Sequence, residues 1–233
     1  MIYPARDRVV AIMAKAPRVG QVKTRLAPAI PVEMILELYR TLVEDSVDLA
    51  RQVAFVAVVC PAEDAPEIAE WLAADGRAIP QRGRGLADGL TSCFEVLCAD
   101  RPRPVLAIDG DSPHLAPVVL ETAFEALEDH DVVIGPCEDG GYYLVGANRP
   151  HAGLFEHEAM GTVSACQALL AATRRLGLSS AIMSTQYDVD VPADLARLAN
   201  ELARHPERAP KTAALLEAWA VGPKGPARTH RVL

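Results

Sequence analysis

Lys15, Arg18, Lys23 and Arg25 fall within eleven residues of the segment AKAPRVGQVKTRLAP (residues 14–28), with no acidic residue between them. Cations at that density suit an anion, since lysine brings a point charge and arginine a forked donor to phosphate oxygens. Gly20 lets the backbone turn sharply or approach a ligand closely. A solvated basic loop would use the same residues, and the G-x-x-x-x-G-K spacing of a Walker A loop is missing. Further along, LAIDGDSPHL (residues 106–115) sets Asp109 and Asp111 on either side of Gly110. Hard divalent cations take such oxygens, and magnesium typically uses one or two carboxylates, leaving other positions to phosphates and water. Asp111 is the leading ligand. The alternative is a turn in which Asp or Ser caps a following helix. His114 has no matched partners that would make a zinc site.

Two more segments carry carboxylates beside chain-turning residues. In GPCEDGGYYLVG (residues 135–146), Glu138 and Asp139 precede Gly140 and Gly141, so the loop could offer oxygens to hydroxyl groups, or make an ordinary tight turn. Asp139 is the candidate general base. In YDVDVPAD (residues 187–194), Asp188 or Asp190 could complete a metal shell with Asp111. Asp190 could instead favour the start of a helix near Pro192 by its negative charge. QRGRGL (residues 81–86) fits a nucleotide contact or a flexible surface loop. No G-x-S-x-G elbow and no G-x-G-x-x-G after the first strand is present.

Every one of these segments needs a scaffold. Residues 9–14, 53–60, 105–108 and 132–135 are short Val- and Ile-rich runs, as expected of strands buried on both faces. Between them lie helical stretches at residues 32–49, 85–99, 117–127 and 164–176; Ile35, Leu38, Leu42 and Leu49 show the spacing in the first, with Pro31 at its start. The alternation predicts an α/β fold: a single domain with a mostly parallel sheet, helices on both faces, and an antiparallel edge hairpin where Gly140 and Gly141 interrupt the pattern. Loops at the carboxyl ends of such strands are where open α/β sheets bind ligands. Residues 195–202 and 212–219 also read as helical. The domain is expected to span residues 1–221, with 222–233 a flexible tail carrying Lys224, Arg228 and Arg231.

The 233 residues are half hydrophobic and 23% charged, which excludes a disordered or collagenous chain. Against 23 basic residues stand 31 acidic ones, a net charge of −8, so nucleic acid is not an expected partner and any anion site is local. Residues 9–14 are too short and too soon broken by Lys15 for a signal peptide, and no apolar run approaches the roughly 18 residues a membrane helix needs. A cytoplasmic protein with no membrane partner is expected. Five cysteines without a C-x-x-C pair predict reduced, mostly buried thiols and no thiolate zinc site.

Taken in order, AKAPRVGQVKTRLAP, IDGDSPHL, GPCEDGGYYLVG and YDVDVPADL resemble the successive motifs of the DUF2064 family, glycosyltransferase-like proteins of the nucleotide-diphospho-sugar transferase superfamily with a GT-A-like, Rossmann-like fold. A more distant likeness is to guanylyltransferases acting on phospholactate or molybdopterin. The resemblance implies Mg2+ (or Mn2+) at Asp111 and Asp190, and phosphate contacts from the basic loop at Lys15, Gly20, Lys23 and Arg25. It also implies a D-G-G-Y turn at Asp139, Gly140, Gly141 and Tyr142, with Lys23, Arg25 and Asp139 catalytic. The chain departs from the family at residues 85–90, GLADGL, where a D-L-G-x-R-M run would carry an arginine, and at Met160-Gly161-Thr162, where W-S-T is usual. The implied activity is glycosyl transfer from a nucleotide-diphospho-sugar to a small acceptor. Nucleotidyl transfer from a triphosphate with release of pyrophosphate is the alternative, which the dense basic loop favours; a non-catalytic nucleotide-binding module is the third reading.

Overall fold

The computed structural model describes residues 7–72, 77–156, 159 and 161–221. Its elements run β1 (Val9–Met13), α1 (Val32–Arg51), β2 (Phe55–Cys60), α2 (Ala65–Trp71), β3 (Arg77–Pro80), α3 (Gly85–Leu97), β4 (Val105–Asp109), α4 (Pro117–Ala126), β5 (Val132–Pro136), β6 (Tyr142–Ala147), α5 (Ala165–Arg175), β7 (Ser180–Ile182), α6 (Pro192–Leu202) and α7 (Pro210–Val221). The expected α/β alternation is therefore present. β2 starts two residues late because the amides of Val53 and Ala54 close a turn onto the Ala50 carbonyl. Three elements lie beyond the sequence expectation. Only Ile68 of α2 and Ile79 of β3 are buried, and β7 buries nothing, so none carries a readable apolar period.

The strands form one seven-stranded sheet in the order β3-β2-β1-β4-β6-β5-β7. All pairings are parallel except those of β6 with β4 and β5. The hairpin expected at residues 135–146 is β5–β6, and it sits inside the sheet instead of at its edge, because β7 pairs with the far side of β5. Successive residues of a strand point to opposite faces. Val10, Ile12, Val56, Val58, Leu106 and Ile108 accordingly pack with Val43 and Val47 of α1 and Phe124 of α4, while Val9, Ala11, Val59, Ala107 and Ile134 pack with Phe94 of α3 and Leu169 of α5. Burial on both faces explains why these strands read as continuous apolar runs.

A third apolar cluster gathers Leu26, Ile30, Leu38 and Leu42 with Tyr187, Val189, Leu198 and Trp219. This cluster matters for the site, since it fastens the end of the basic loop to the residues 187–190 segment and to α6 and α7. The α7 helix is held on α1 by Asp45, whose buried carboxylate accepts the backbone N–H groups of Lys211 (3.2 Å) and Thr212 (2.8 Å). All five cysteines are free and buried. No helix among the described residues is long and apolar enough to cross a membrane. The expected tail at 222–233 and Met160 lie outside the described residues.

Candidate active site at the carboxyl edge of the sheet

Six strands end on one edge of the sheet, and β6, running the other way, begins there. The loop after β1, the loop after β4, the β5–β6 turn and the segment after β7 thus converge at that edge, close to the point where the strand order reverses beside β1. Asp109 is the last residue of β4 and Asp111 follows across Gly110. In the segment after β7, Tyr187 and Val189 enter the apolar cluster, and the alternation leaves Asp188 and Asp190 to face the other way.

Lys23 joins these segments. Its ammonium pairs with Asp111 Oδ2 and, at 2.8 Å, with Asp190 Oδ1, and its side chain is 4% exposed. Arg25 reaches Asp190 Oδ2 at 3.1 Å. Lys23 holds a left-handed backbone (φ 45°, ψ 38°), a conformation that costs a residue with a side chain about 1–2 kcal/mol, which the buried ion pairs offset. Burial alone would lower the Lys23 pKa, yet the Asp111 and Asp190 charges overcome it and hold the ammonium protonated. Burial would likewise raise Asp190, but Lys23 and Arg25 keep its carboxyl below the usual range. Asp109 is pushed well up by burial, then by Asp111 and Asp188. Asp188 is pushed up to about 6 by burial and by Asp111, Asp190 and Asp139. Four carboxylates therefore gather around one lysine: Asp190, held below its usual range by the cations, Asp109 and Asp188, pushed above it, and Asp111, paired to the ammonium.

The rest of the basic loop is arranged unequally. Arg18 pairs with Asp64 and, at 2.9 Å, with Glu67, so the structure turns it away from any ligand. Asp64 also accepts the Ala16 amide at 2.9 Å, and the Tyr39 hydroxyl accepts the Lys15 amide at 2.9 Å, fixing the loop's backbone. The Lys15 side chain is exposed, with no ion pair among the described residues. Gly20 takes φ 72° with open space around it.

In the β5–β6 turn, Asp139 accepts the Gly141 amide at 2.8 Å, and Gly140 takes φ 90° with the Val163 backbone carbonyl filling the space a side chain would need. Glu138 pairs with Arg197 at 2.8 Å, and that guanidinium lies 3.8 Å over the Tyr187 ring. His114 stacks on the same Tyr187 ring at 4.0 Å, and both its ring nitrogens are buried without partners among the described residues. Arg82 of the QRGRGL segment pairs with Glu95, and the Arg84 amide donates to Asp88 at 2.6 Å. Sequence reasoning gave no role to Asp64, Tyr39 or Cys137; none carries a local motif, and only the fold brings them to this edge.

The residues present fit a divalent cation, because Asp109 Oδ1 and Asp111 Oδ1 are buried with no hydrogen-bond partner among the described residues. Such orphaned acceptors are costly unless something satisfies them.

The sheet order and the carboxylate edge define a nucleotide-diphospho-sugar transferase-like fold. A structure from Desulfovibrio desulfuricans G20, provisionally described as a nucleotide-diphospho-sugar transferase, is 26% identical with a TM-score of 0.83, over 92% of this chain and 96% of that one. Residues 45–162 match the family described as "Uncharacterized protein conserved in bacteria (DUF2064)", and the chain belongs to it. At the level of the fold alone it is similar to the 4-diphosphocytidyl-2C-methyl-D-erythritol synthase of Anaerococcus prevotii DSM 20548 (13% identity, TM-score 0.56, 86% of this chain and 100% of that one). It is likewise similar to CMP:2-keto-3-deoxy-manno-octonic acid synthetase complexed with CTP (18%, 0.53, 85% and 99%). No curated protein matches the chain.

Proposed function

We propose that this protein is a transferase that takes a group from an activated nucleotide in the presence of a divalent cation, and that the reaction is glycosyl transfer from a nucleotide-diphospho-sugar to a small hydroxyl-bearing acceptor. The observation that carries the reading is the cluster of Asp109, Asp111, Asp188 and Asp190 around Lys23, with two buried carboxylate oxygens unsatisfied. The donor's charge follows from what remains of the basic loop. Arg18 is locked by Asp64 and Glu67, and Lys23 is neutralised by two carboxylates; that leaves Lys15 and Arg25, whose 65% exposed side chain gives one guanidinium nitrogen to Asp190 and keeps the other for phosphate. Two cations suit a diphosphate better than a triphosphate.

A bound Mg2+ or Mn2+ would neutralise charge growing on the diphosphate. The chain's own residues do the rest. Lys15 and Arg25 bind the phosphates, Gly20 lets the loop fold over them, and Lys23 keeps Asp111 and Asp190 oriented. Gly140 and Gly141 bring the β5–β6 turn close to the ligand, and Asp139 takes the acceptor's proton. The acceptor oxygen bonds to the anomeric carbon as the carbon–oxygen bond to the diphosphate breaks. Positioning and charge stabilisation suffice for such a reaction without a protein nucleophile.

Calorimetric titration of the chain with nucleotide-diphospho-sugars and nucleoside triphosphates, each with Mg2+, Mn2+ or chelator, tests this. Metal-dependent binding of a nucleotide sugar, with release of its nucleoside diphosphate on adding acceptors, is expected. Selective binding of one triphosphate would replace glycosyl with nucleotidyl transfer, and binding without turnover of either class would leave a binding module.

A further inference from the structure

The Asp111–Asp190 pair already holds cations. Asp111 Oδ2 and Asp190 Oδ1 meet the Lys23 ammonium and Asp190 Oδ2 meets Arg25, so three of that pair's four oxygens are engaged. The unsatisfied donors lie elsewhere in the cluster. Asp109 Oδ1 is buried without a partner, while Asp109 Oδ2 has only the Ser112 hydroxyl at 3.3 Å. Among the described residues, Asp188 and the thiol of Cys137 have no hydrogen-bond partner. Cys137 is 6% exposed, and its sulfur and a carboxylate oxygen from each of Asp109 and Asp188 all lie within 4.8 Å of one another. The sheet sets this triangle: Asp109 ends β4, Cys137 leaves β5 and pairs in parallel with Gln186, and Asp188 stands two residues beyond.

We propose that the divalent cation of this protein is held by Asp109, Asp188 and the thiolate of Cys137, with Lys23 retained between Asp111 and Asp190, and that the site takes a borderline transition metal such as zinc or cobalt ahead of magnesium. The proposal rests on the metal-dependent reading above and changes its ligands and its ion. Magnesium prefers oxygen alone, whereas a sulfur donor shifts preference toward softer first-row ions. Binding requires the thiol proton to leave for solvent as the sulfur–metal bond forms, which a divalent charge accomplishes readily for a coordinated thiol. It also gives the buried Asp109 oxygen a partner that no side chain among the described residues supplies. The sequence expectation of no thiolate ligation rested on the absence of a C-x-x-C pair; here one cysteine joins two carboxylates from distant strands.

Cobalt(II) is the probe, because a cobalt–thiolate bond absorbs in the near ultraviolet by charge transfer and a carboxylate–cobalt bond does not. The metal-stripped chain is titrated with Co2+ alone, alongside Cys137→Ser and Cys137→Ala, each checked for native circular dichroism. The expected result is a charge-transfer band saturating at about one equivalent in the parent, lost in both variants, with Co2+ affinity lowered at least about tenfold. Co2+ binding without that band, a band that survives both substitutions, or no Co2+ binding overturns the proposal. The nucleotide titrations read the functional reading separately: a thiolate band with no nucleotide binding would sink that reading and spare the site, and nucleotide binding with Mg2+ but no thiolate band would do the reverse.

Discussion

The Asp190 carboxylate accepts a hydrogen bond from the Lys23 ammonium at 2.8 Å, although the two residues stand 167 positions apart in the chain. That contact closes the two ends of the domain over the sheet edge, next to the apolar cluster of Leu26, Tyr187 and Val189. Lys23→Met keeps the aliphatic stem and removes the charge, leaving Asp111 without a cationic partner among the described residues and Asp190 with Arg25 alone. Removing one partner of a buried pair costs about 3–5 kcal/mol; with Asp190 a third exposed, about 2–3 kcal/mol is expected by urea denaturation at pH 7. An unchanged midpoint would show that the pair does not hold the site together.

Arg18 and Arg25 separate the structural from the ligand-binding cations. Arg25→Ala is expected to weaken nucleotide binding about tenfold, whereas Arg18→Ala, whose partners are Asp64 and Glu67, changes it less than about twofold. Calorimetric affinities check both, and equal losses would return Arg18 to the phosphate site.

His114 predicts a pH dependence of stability. Burial lowers its pKa to about 4, while the unfolded chain titrates near 6.5. Between those values the unfolded state binds the extra proton, so stability from this group is present above about 6.5 and lost as pH falls toward 4. His114→Phe, which keeps a ring against Tyr187, should lose about 2 kcal/mol less than the parent between pH 7 and pH 5 in denaturant titrations. Parallel losses in the two proteins would contradict the assignment.

Gly140 tolerates no side chain. A Cβ there would meet the backbone carbonyl of Val163 at φ 90°, and backbone cannot swing aside as a flexible side-chain end can. Gly140→Ala is expected to lower the melting temperature by about 5–10 °C, the equivalent of about 2–3 kcal/mol in a domain of this size. A shift below 2 °C would mean the turn and the segment around Val163 part easily.

Asp45→Ala removes the acceptor for the Lys211 and Thr212 amides and should cost about 1–2 kcal/mol. Hydrogen exchange is expected to speed up in α7 while nucleotide affinity stays unchanged. Equal protection of α7 in the two proteins would place its anchorage in the apolar contacts instead.

The sequence revealed the scaffold where its signals are local. Val9, Val56, Val105 and Val132 lie in apolar runs long enough to read, and the motifs at residues 14–28, 106–115 and 135–146 follow the runs of Val9, Val105 and Val132, so the edge where these three meet was legible. The margins of the sheet were not, because Arg77–Pro80 buries one residue and Ser180–Ile182 none, and without β7 the hairpin looks like an edge. Within the site, Lys15, Arg18, Lys23 and Arg25 look alike as a string of cations. Their separation into a free lysine, a locked arginine and a buried lysine depends on Asp64, Asp111 and Asp190, which belong to three other segments. Cys137 gave no signal because its neighbours in space, Asp109 and Asp188, share no spacing with it.

The reversal of β6 also sets how each wall of the site is built. The turn between β5 and β6 is stitched at both stems to strands, and β4 and β7 brace those strands in turn. The basic loop is tied down at its two ends, at Lys15 and Ala16 by Tyr39 and Asp64 and at Lys23 by Asp111 and Asp190, and between them Gly20 has open space where a side chain would stand. The two walls therefore differ in construction: the Asp139–Gly141 side is built into the sheet itself, and the lysine-bearing side is a loop held by side chains from four other segments.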